Sequence, residues 1–392
     1  MHESDKNKYV ELIKMQSNKL RMAIRATAAI AVLGMAGPAS AVSFDAGGYD
    51  TSIYGYARLN ASYDIDENVS NDTSSFDYSK INVGANEKNE ATGYFGSEAT
   101  QTRIGIVTTS PEGVEVKVEA DFRGGFRLRH GYGSYKGVLA GQTWSNFTSF
   151  VGNTSTLDFD GLPGLAGYQS RVPQLRYTSG PISVSAEQPK NSIAGSTTTK
   201  NGMPALTARL EDSAGNLSYS AAVLTQQLSI DSGTSDSSAF GFATFVAGKI
   251  ALSDMITIQG TLSYTDGASN YLYRMGQVSA YVENGDVETV SGYGGSVGAG
   301  FNLGDGSSIN IGYGTTKIDL DDGVAAGIIV ADPKDANLNS LNESISAVMA
   351  NYQWTPVKNV KMGVEYKYAT RELQNGDDGD ASSVAFAAQY NF

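Results

Sequence analysis

Apolar and charged residues alternate without a fault over residues 114–122, with Val114, Val116, Val118, Ala120 and Phe122 on one face and Glu115, Lys117, Glu119 and Asp121 on the other. That is the two-residue period of a β-strand. After Arg123-Gly124-Gly125 the pattern predicts a second strand, with Phe126, Leu128, His130 and Tyr132 opposite Arg127, Arg129, Gly131 and Gly133. Lys136-Gly137 then turns the chain into a third strand over 138–144. A soluble sheet packed on a core shows the same local pattern. The rest of the chain separates the two, because the alternation recurs in segments of about ten residues and no helical period supplies a covering layer.

The first strand is predicted over 52–63, with Ile53, Gly55, Ala57, Leu59 and Ala61 outward and Tyr54, Tyr56, Arg58 and Asn60 inward. A long polar loop follows to about Ala99, and 100–110 returns with Ile104 and Ile106 outward against Arg103. Further strands are predicted over 171–178, 182–187, 204–211, 217–226, 239–250, 255–264, 292–303, 308–317, 343–354, 360–370 and 383–392. The count is about sixteen, each of a length suited to a tilted membrane strand. The fold class is therefore all-β, a transmembrane antiparallel β-barrel whose closure removes every sheet edge. Short turns at one end and long loops at the other place both termini at the short-turn, periplasmic end. Tyr63, Trp144, Tyr177, Tyr264, Tyr352, Trp354, Tyr366 and Tyr368 fall near strand ends, as interfacial girdles require.

Residues 1–41 read as an export signal peptide. Lys14, Lys19, Arg21 and Arg25 flank an apolar run over 26–35 too short to span a bilayer, and Ala39-Ser40-Ala41 gives a small-residue cleavage pattern. Met15 or Met22 is an alternative start, and an N-terminal amphipathic helix that stays in place is the alternative to cleavage after Ala41. The barrel then covers 42–392.

Composition narrows the function classes. The 392 residues include no Cys, 45 Gly and 22 Tyr, and no run of about eighteen apolar residues exists, which excludes a disulfide scaffold and a helical membrane protein. The net charge is −13; residues 1–41 hold six Lys and Arg against three Asp and Glu, so the remainder carries −16. Bulk charge speaks against nucleic acid as a partner.

The arginines carry the candidate chemistry. Ten lie beyond residue 41, and seven of them, Arg58, Arg103, Arg127, Arg129, Arg171, Arg176 and Arg209, fall on first-half strands or strand ends. The pleat turns most of these, with Lys117, toward the lumen. Guanidinium groups stay charged and offer forked donors to carboxylates, so an arc of them attracts anions whatever the net charge. A second reading stays open, in which they only neutralise Glu115, Glu119, Asp121 and Asp158 or Asp160. Lys317 and Lys334, near the loops, are expected to matter less.

Acidic groups at Asp64, Asp66 and Glu67, at Asp319, Asp321 and Asp322, and at Asp377, Asp378 and Asp380 do not match the twelve-residue calcium loop and read as solvated loops. No metal or cofactor is expected. His130, the one histidine beyond residue 41, is placed on the apolar face and read as structural. An enzyme such as a barrel phospholipase would have to build its dyad on it, so no enzyme is expected. A surface receptor or adhesion barrel with a closed lumen also fits the long loops.

The stretch FRLRHGYGSYKGVLAGQTWSNF, followed by LDFDG and SRVPQLRYTSGP, resembles the signature region of DcaP-like outer-membrane porins, and the terminal QYNF is similar to the closing strand of bacterial porins. The resemblance implies a homotrimeric, sixteen-stranded porin of the Gram-negative outer membrane, set among lipids and lipopolysaccharide. It implies passage of small anionic solutes such as dicarboxylates, with a general porin lacking anion preference as the alternative. By the same resemblance the Gly-rich and aromatic-rich segment 145–170 folds into the barrel as a constriction loop, with Phe147, Phe150, Leu157, Asp158, Phe159 and Asp160 setting the bore. No heptad-bearing segment lies between Ala41 and the first strand, so trimerisation would rest on the barrel walls. The outward face of the first strand, with Gly55, Ala57 and Ala61 between Ile53 and Leu59, is flat enough for that.

Overall fold

A computed structural model of the chain describes residues 41–70, 75–89, 92–196, 198–233, 236–275, 278–329 and 342–392. The export segment, apart from Ala41, and Lys334 lie outside the described residues.

The alternating segments pair into one antiparallel sheet that closes on itself. Its sixteen wall strands begin, in chain order, with Tyr49–Asp64, then Tyr94–Glu98 with Arg103–Thr109 as one interrupted strand, Glu115–Asp121, Arg127–Tyr135, Val138–Trp144, Arg171–Ser179, Ile182–Glu187 and Ala205–Ala214. The second half comprises Leu217–Asp231, Asp236–Ala251, Ile256–Asp266, Ser291–Gly304, Ser307–Ile318, Asn342–Val357, Val360–Leu373 and Asp378–Asn391. Closure is made by the first and last strands, in register from Tyr56 opposite Asn391 to Asp64 opposite Ser383. Residues 94–98, read as loop in the sequence, belong to the wall, because they pair with Asn60 to Asp64 while 103–109 pair with Asp50 to Tyr56. Val42–Ala46 folds back as a short hairpin along the lower part of the first strand, below the point where the last strand ends.

Burial follows the pleat. Leu59, Val116, Val118, Leu175, Val184, Val246, Leu262, Val297, Ile311, Val348 and Val364 point outward and are exposed to the bilayer side, while Arg58, Asn60, Glu119, Gln259, Ser296, Asn310 and Glu365 are buried inside. The apolar core is inside the barrel, where inward wall residues such as Ile318, Ile345 and Met349 meet the loops. It lies within the long-loop half of the barrel, where Phe76, Tyr78 and Ile81 of the first loop meet Leu162 and Leu165 of the third and Leu272 and Met275 of the sixth. At the other end the turns are tight. Lys136 and Gly137 both adopt positive φ, 48° and 85°, the geometry that joins antiparallel strands with two residues.

The fourth strand departs from simple alternation. Glu119 pairs with His130, but Ala120 pairs with Leu128, so Arg129 is the extra residue of a β-bulge. Arg129 and His130 consequently both turn inward, and Tyr132 follows, its hydroxyl donating to Glu115 at 3.0 Å. The outward placement of His130 and Tyr132 read from strict periodicity is thus corrected. Trp144 is corrected as well: it lines the interior beneath Arg171 rather than the outer girdle.

Candidate functional site: an arginine wall facing an inserted loop

Strands two to four present their inward cations to a shared pair of carboxylates on the third strand. Asp121, fully buried, accepts a fork from Arg127 (Nε to Oδ1 2.9 Å, Nη2 to Oδ2 2.7 Å) and a third bond from Arg129 Nη1 at 2.7 Å. Glu119 Oε1 lies 3.2 Å from Arg129 Nε and 3.7 Å from Arg103 Nη1, while its Oε2 accepts the Tyr54 hydroxyl at 2.8 Å and lies 4.0 Å from Lys117 Nζ. Arg127 and Arg129, two residues apart, share the inward face, and the bulge adds His130 beside them. Four cations thus share two carboxylates.

Other wall residues add charge or position. Arg171 stacks over the Trp144 ring at 4.4 Å and makes no ion pair among the described residues. Arg58, buried, donates to Asn60 Oδ1 at 2.7 Å, to Gln389 Oε1 at 3.3 Å and to the Leu157 carbonyl at 2.8 Å. Arg209 donates to the Thr148 carbonyl and lies 3.9 Å from Glu211, and Arg176 is half-buried nearer the short-turn end. His130 Nδ1 lies 2.9 Å from Thr143 Oγ1, with its ring edge on Trp144. Lys317 is paired with Glu343, away from this group.

Segment 145–170 leaves the fifth strand at Trp144, enters the barrel and lies against the far wall. At its start Glu187 accepts Ser145 Oγ and the Asn146 N–H, both at 2.6 Å, and Phe147 packs against Phe245 at 5.1 Å between centroids. Farther on, the floor is glycine. A Cβ on Gly314 would lie 2.2 Å from Pro163 O, one on Gly298 would lie 2.0 Å from Thr154 Oγ1, and one on Gly312 would lie 2.8 Å from Leu162. Only bare backbone on strands twelve and thirteen lets the loop lie so close.

The tip is held on both sides. Glu365 accepts the Leu157 and Asp158 N–H groups at 2.7 and 3.1 Å, Lys367 binds Asp158, and Arg274 Nη1 lies 3.5 Å from Asp160 Oδ2. Burial would raise the Asp160 carboxyl, but the adjacent Arg274, a Ser75 hydrogen bond and the charges of Arg123 and Lys367 outweigh it and hold Asp160 below its ordinary value. The two acidic residues that sequence reasoning offered as partners for the arginine wall are therefore engaged elsewhere. Lys367, Glu365 and Arg274, which do this, were not singled out in the sequence. Between the two pinned carboxylates Phe159 projects to the wall, with its ring centroid 4.6 Å from Arg103 Cζ, 5.5 Å from Arg58 and 5.7 Å from Arg129. Phe150 meets Trp144 at 5.0 Å. Between loop and wall runs a cavity of about 920 Å³, lined by Arg103, Arg129, Arg171, Trp144, Phe150 and Phe159 among others.

Among the acidic loop groups, Asp64 accepts the Ser70 N–H and two hydroxyls, Glu67 accepts the Asn82 N–H, and Asp66 accepts the Ser382 N–H. They cap loop backbone. Among the described residues no group of three or more His, Cys, Asp and Glu is placed to hold a metal ion.

The family described as DcaP outer membrane protein matches residues 38–392. Among solved structures, the outer membrane channel DcaP of Acinetobacter baumannii is similar at 28% identity with a TM-score of 0.75, over 89% of this chain and 99% of that one. OmpT, an outer membrane protein of Vibrio cholerae, covers 90% of this chain and 100% of its own at 12% identity and a TM-score of 0.55. An anion-selective porin from Comamonas acidovorans covers 88% and 100% at 12% identity and a TM-score of 0.54. The last two share the fold alone. No curated protein sequence matches the chain.

Proposed function

The chain belongs to the DcaP outer membrane protein family, which makes it a channel of the Gram-negative outer membrane, and we propose that it passes small hydrophilic anions by passive diffusion, dicarboxylates foremost, as a homotrimer. The observation that carries this reading is the unequal sharing on the wall, where Arg103, Lys117, Arg127 and Arg129 divide Glu119 and Asp121 between them and Arg171 adds a further charge. Facing them, Asp158 and Asp160 are occupied by Lys367 and Arg274. The wall side of the bore is left positive, and low-dielectric surroundings keep that charge felt by a passing solute.

Two carboxylates on one solute can engage separate guanidinium groups, which a single charge cannot, and forked geometry suits them. Reversal potentials across a planar bilayer in a salt gradient test the reading. Anion preference is expected at low salt, fading as the screening length falls from about 30 Å at 0.01 M to about 3 Å at 1 M. A channel that prefers cations at low salt overturns it.

A further inference from the structure

We propose that the Phe159 ring stands in the place of a permeating anion in the resting channel and that each anion passes by exchanging with it. Phe159 is then a specificity-determining residue rather than a spacer. The inference deepens the anion-channel reading above and rests on it.

The first observation is a set of donors without acceptors. Arg103 Nε and Nη2 and Arg129 Nη2 are buried and have no hydrogen-bond partner, although their neighbouring nitrogens reach Glu119 and Asp121. Both arginines approach the same oxygen, Glu119 Oε1, so the two guanidinium groups lie side by side. A buried donor of this kind calls for an acceptor.

The second observation is what covers them. The Phe159 ring lies within 5.7 Å of Arg103, Arg129 and Arg58. Its negative face answers their charge, but a ring cannot take the forked bonds that a carboxylate takes or the point contact that a halide makes. The ring is an inferior occupant of a site shaped for an anion.

The third observation is mobility by construction. The backbone on either side of Phe159 is pinned through Leu157 to Arg58 and Glu365, and through Asp158 and Asp160 to Lys367 and Arg274. The ring itself is half-buried and borders the cavity of about 920 Å³. Side-chain rotation into that space frees the site with no movement of the loop. A competing ring lowers apparent anion affinity by the fraction of time the site is open, and a channel needs sites weak enough to release what they bind.

The test uses the full-length channel in planar bilayers, with chloride alone as the probe. Phe159→Leu keeps an apolar side chain but removes the ring's charge distribution, and Phe159→Ala removes both. If the ring competes with anions, both variants reach half-maximal single-channel conductance at roughly tenfold lower chloride activity than the wild type. If Phe159 is a spacer, Phe159→Leu behaves as wild type and Phe159→Ala raises conductance at unchanged half-saturation; that result overturns the inference and leaves anion preference standing. A wild-type channel selective for cations overturns both.

Discussion

Lys367 on the fifteenth wall strand and Asp158 of the inserted loop bind each other inside the barrel, with only 4% and 5% of the two side chains exposed. The pair fastens the loop to a wall far from the strand it springs from. It also removes one carboxylate from the bore, which leaves the arginine wall facing a loop without a free counter-charge at that point.

Removing one partner of a buried ion pair leaves the other charge uncompensated, at a cost of about 3–5 kcal/mol. Lys367→Met is therefore expected to loosen the loop tip while the wall, held by its own ladder, stays closed. Single-channel recordings should show frequent closures absent from the wild type, with unchanged β-structure by circular dichroism. Quiet recordings from the variant would argue that Glu365 alone fixes the tip.

Arg171 offers the cleanest test of the wall's charge, because its substitution removes one positive group without stranding a carboxylate. Arg171→Gln is expected to lower anion preference measurably at low salt. Replacing Arg127 and Arg129 by Gln together should lower it further, since Asp121 then keeps its charge without either guanidinium. It should also slow dicarboxylate entry. Lys317→Gln, which only breaks the pair with Glu343, is expected to leave the reversal potential unchanged.

The pH response follows from Asp160. Its carboxyl lies below the ordinary 3.8, so its contribution to holding the loop is present above that value and is lost only as pH falls through the lower, folded value. Asp160 itself is therefore expected to contribute no change in open level between pH 7 and about pH 4, and noise from its protonation only in stronger acid. Arg274→Gln removes the nearest counter-charge and should bring the onset to higher pH. Noise that rises already near neutrality would point to another group.

Assembly can be tested on the first strand. Gly55 is not open to a neighbour, because a Cβ there would lie 2.7 Å from the Phe392 ring, and Gly55 and Phe392 exchange backbone hydrogen bonds at 3.2 and 3.1 Å. The surface left for packing is Ala57, Leu59 and Ala61. A detergent-resistant trimer is expected by light scattering, and Ala57→Arg should shift it toward monomer. A wild-type monomer in mild detergent counts against trimerisation.

The wall was legible in the sequence because each strand lies between two unlike media, so every second residue reports which one it faces. The first strand shows this: Leu59 is outward, and Arg58 and Asn60 are inside. The bulge was not legible, since strict alternation continues through Arg129 on paper. Its effect falls on His130 and Tyr132, which it turns inward, and no residue pattern marks it beforehand. The latch was half legible: Glu365 and Lys367 sit two apart on an inward face, an ion-rich pair in a wall otherwise lined by small polar groups, but their partners lie 208 and 209 residues away in the chain. The glycine floor was not legible, because Gly298, Gly312 and Gly314 matter only through the loop that lies on them.

That floor yields the last prediction. Gly314 has ordinary backbone geometry, so alanine there is not strained by conformation; the obstacle is the Pro163 carbonyl, 2.2 Å from where the Cβ would sit. Backbone cannot give way as a flexible side chain can, so the loop must lift from strand thirteen toward the arginine wall. Overpacking of this kind costs about 1–3 kcal/mol, too little to open the sheet and enough to move a loop held at its ends. Gly314→Ala is therefore expected to lower single-channel conductance while the barrel keeps its resistance to detergent. Gly248→Ala is the control, since the nearest atom to its Cβ is Ser218 O at 4.0 Å. Equal conductance in the two variants would show that the loop does not bear on the glycine floor in the working channel, and that the bore is set by the pinned tip alone.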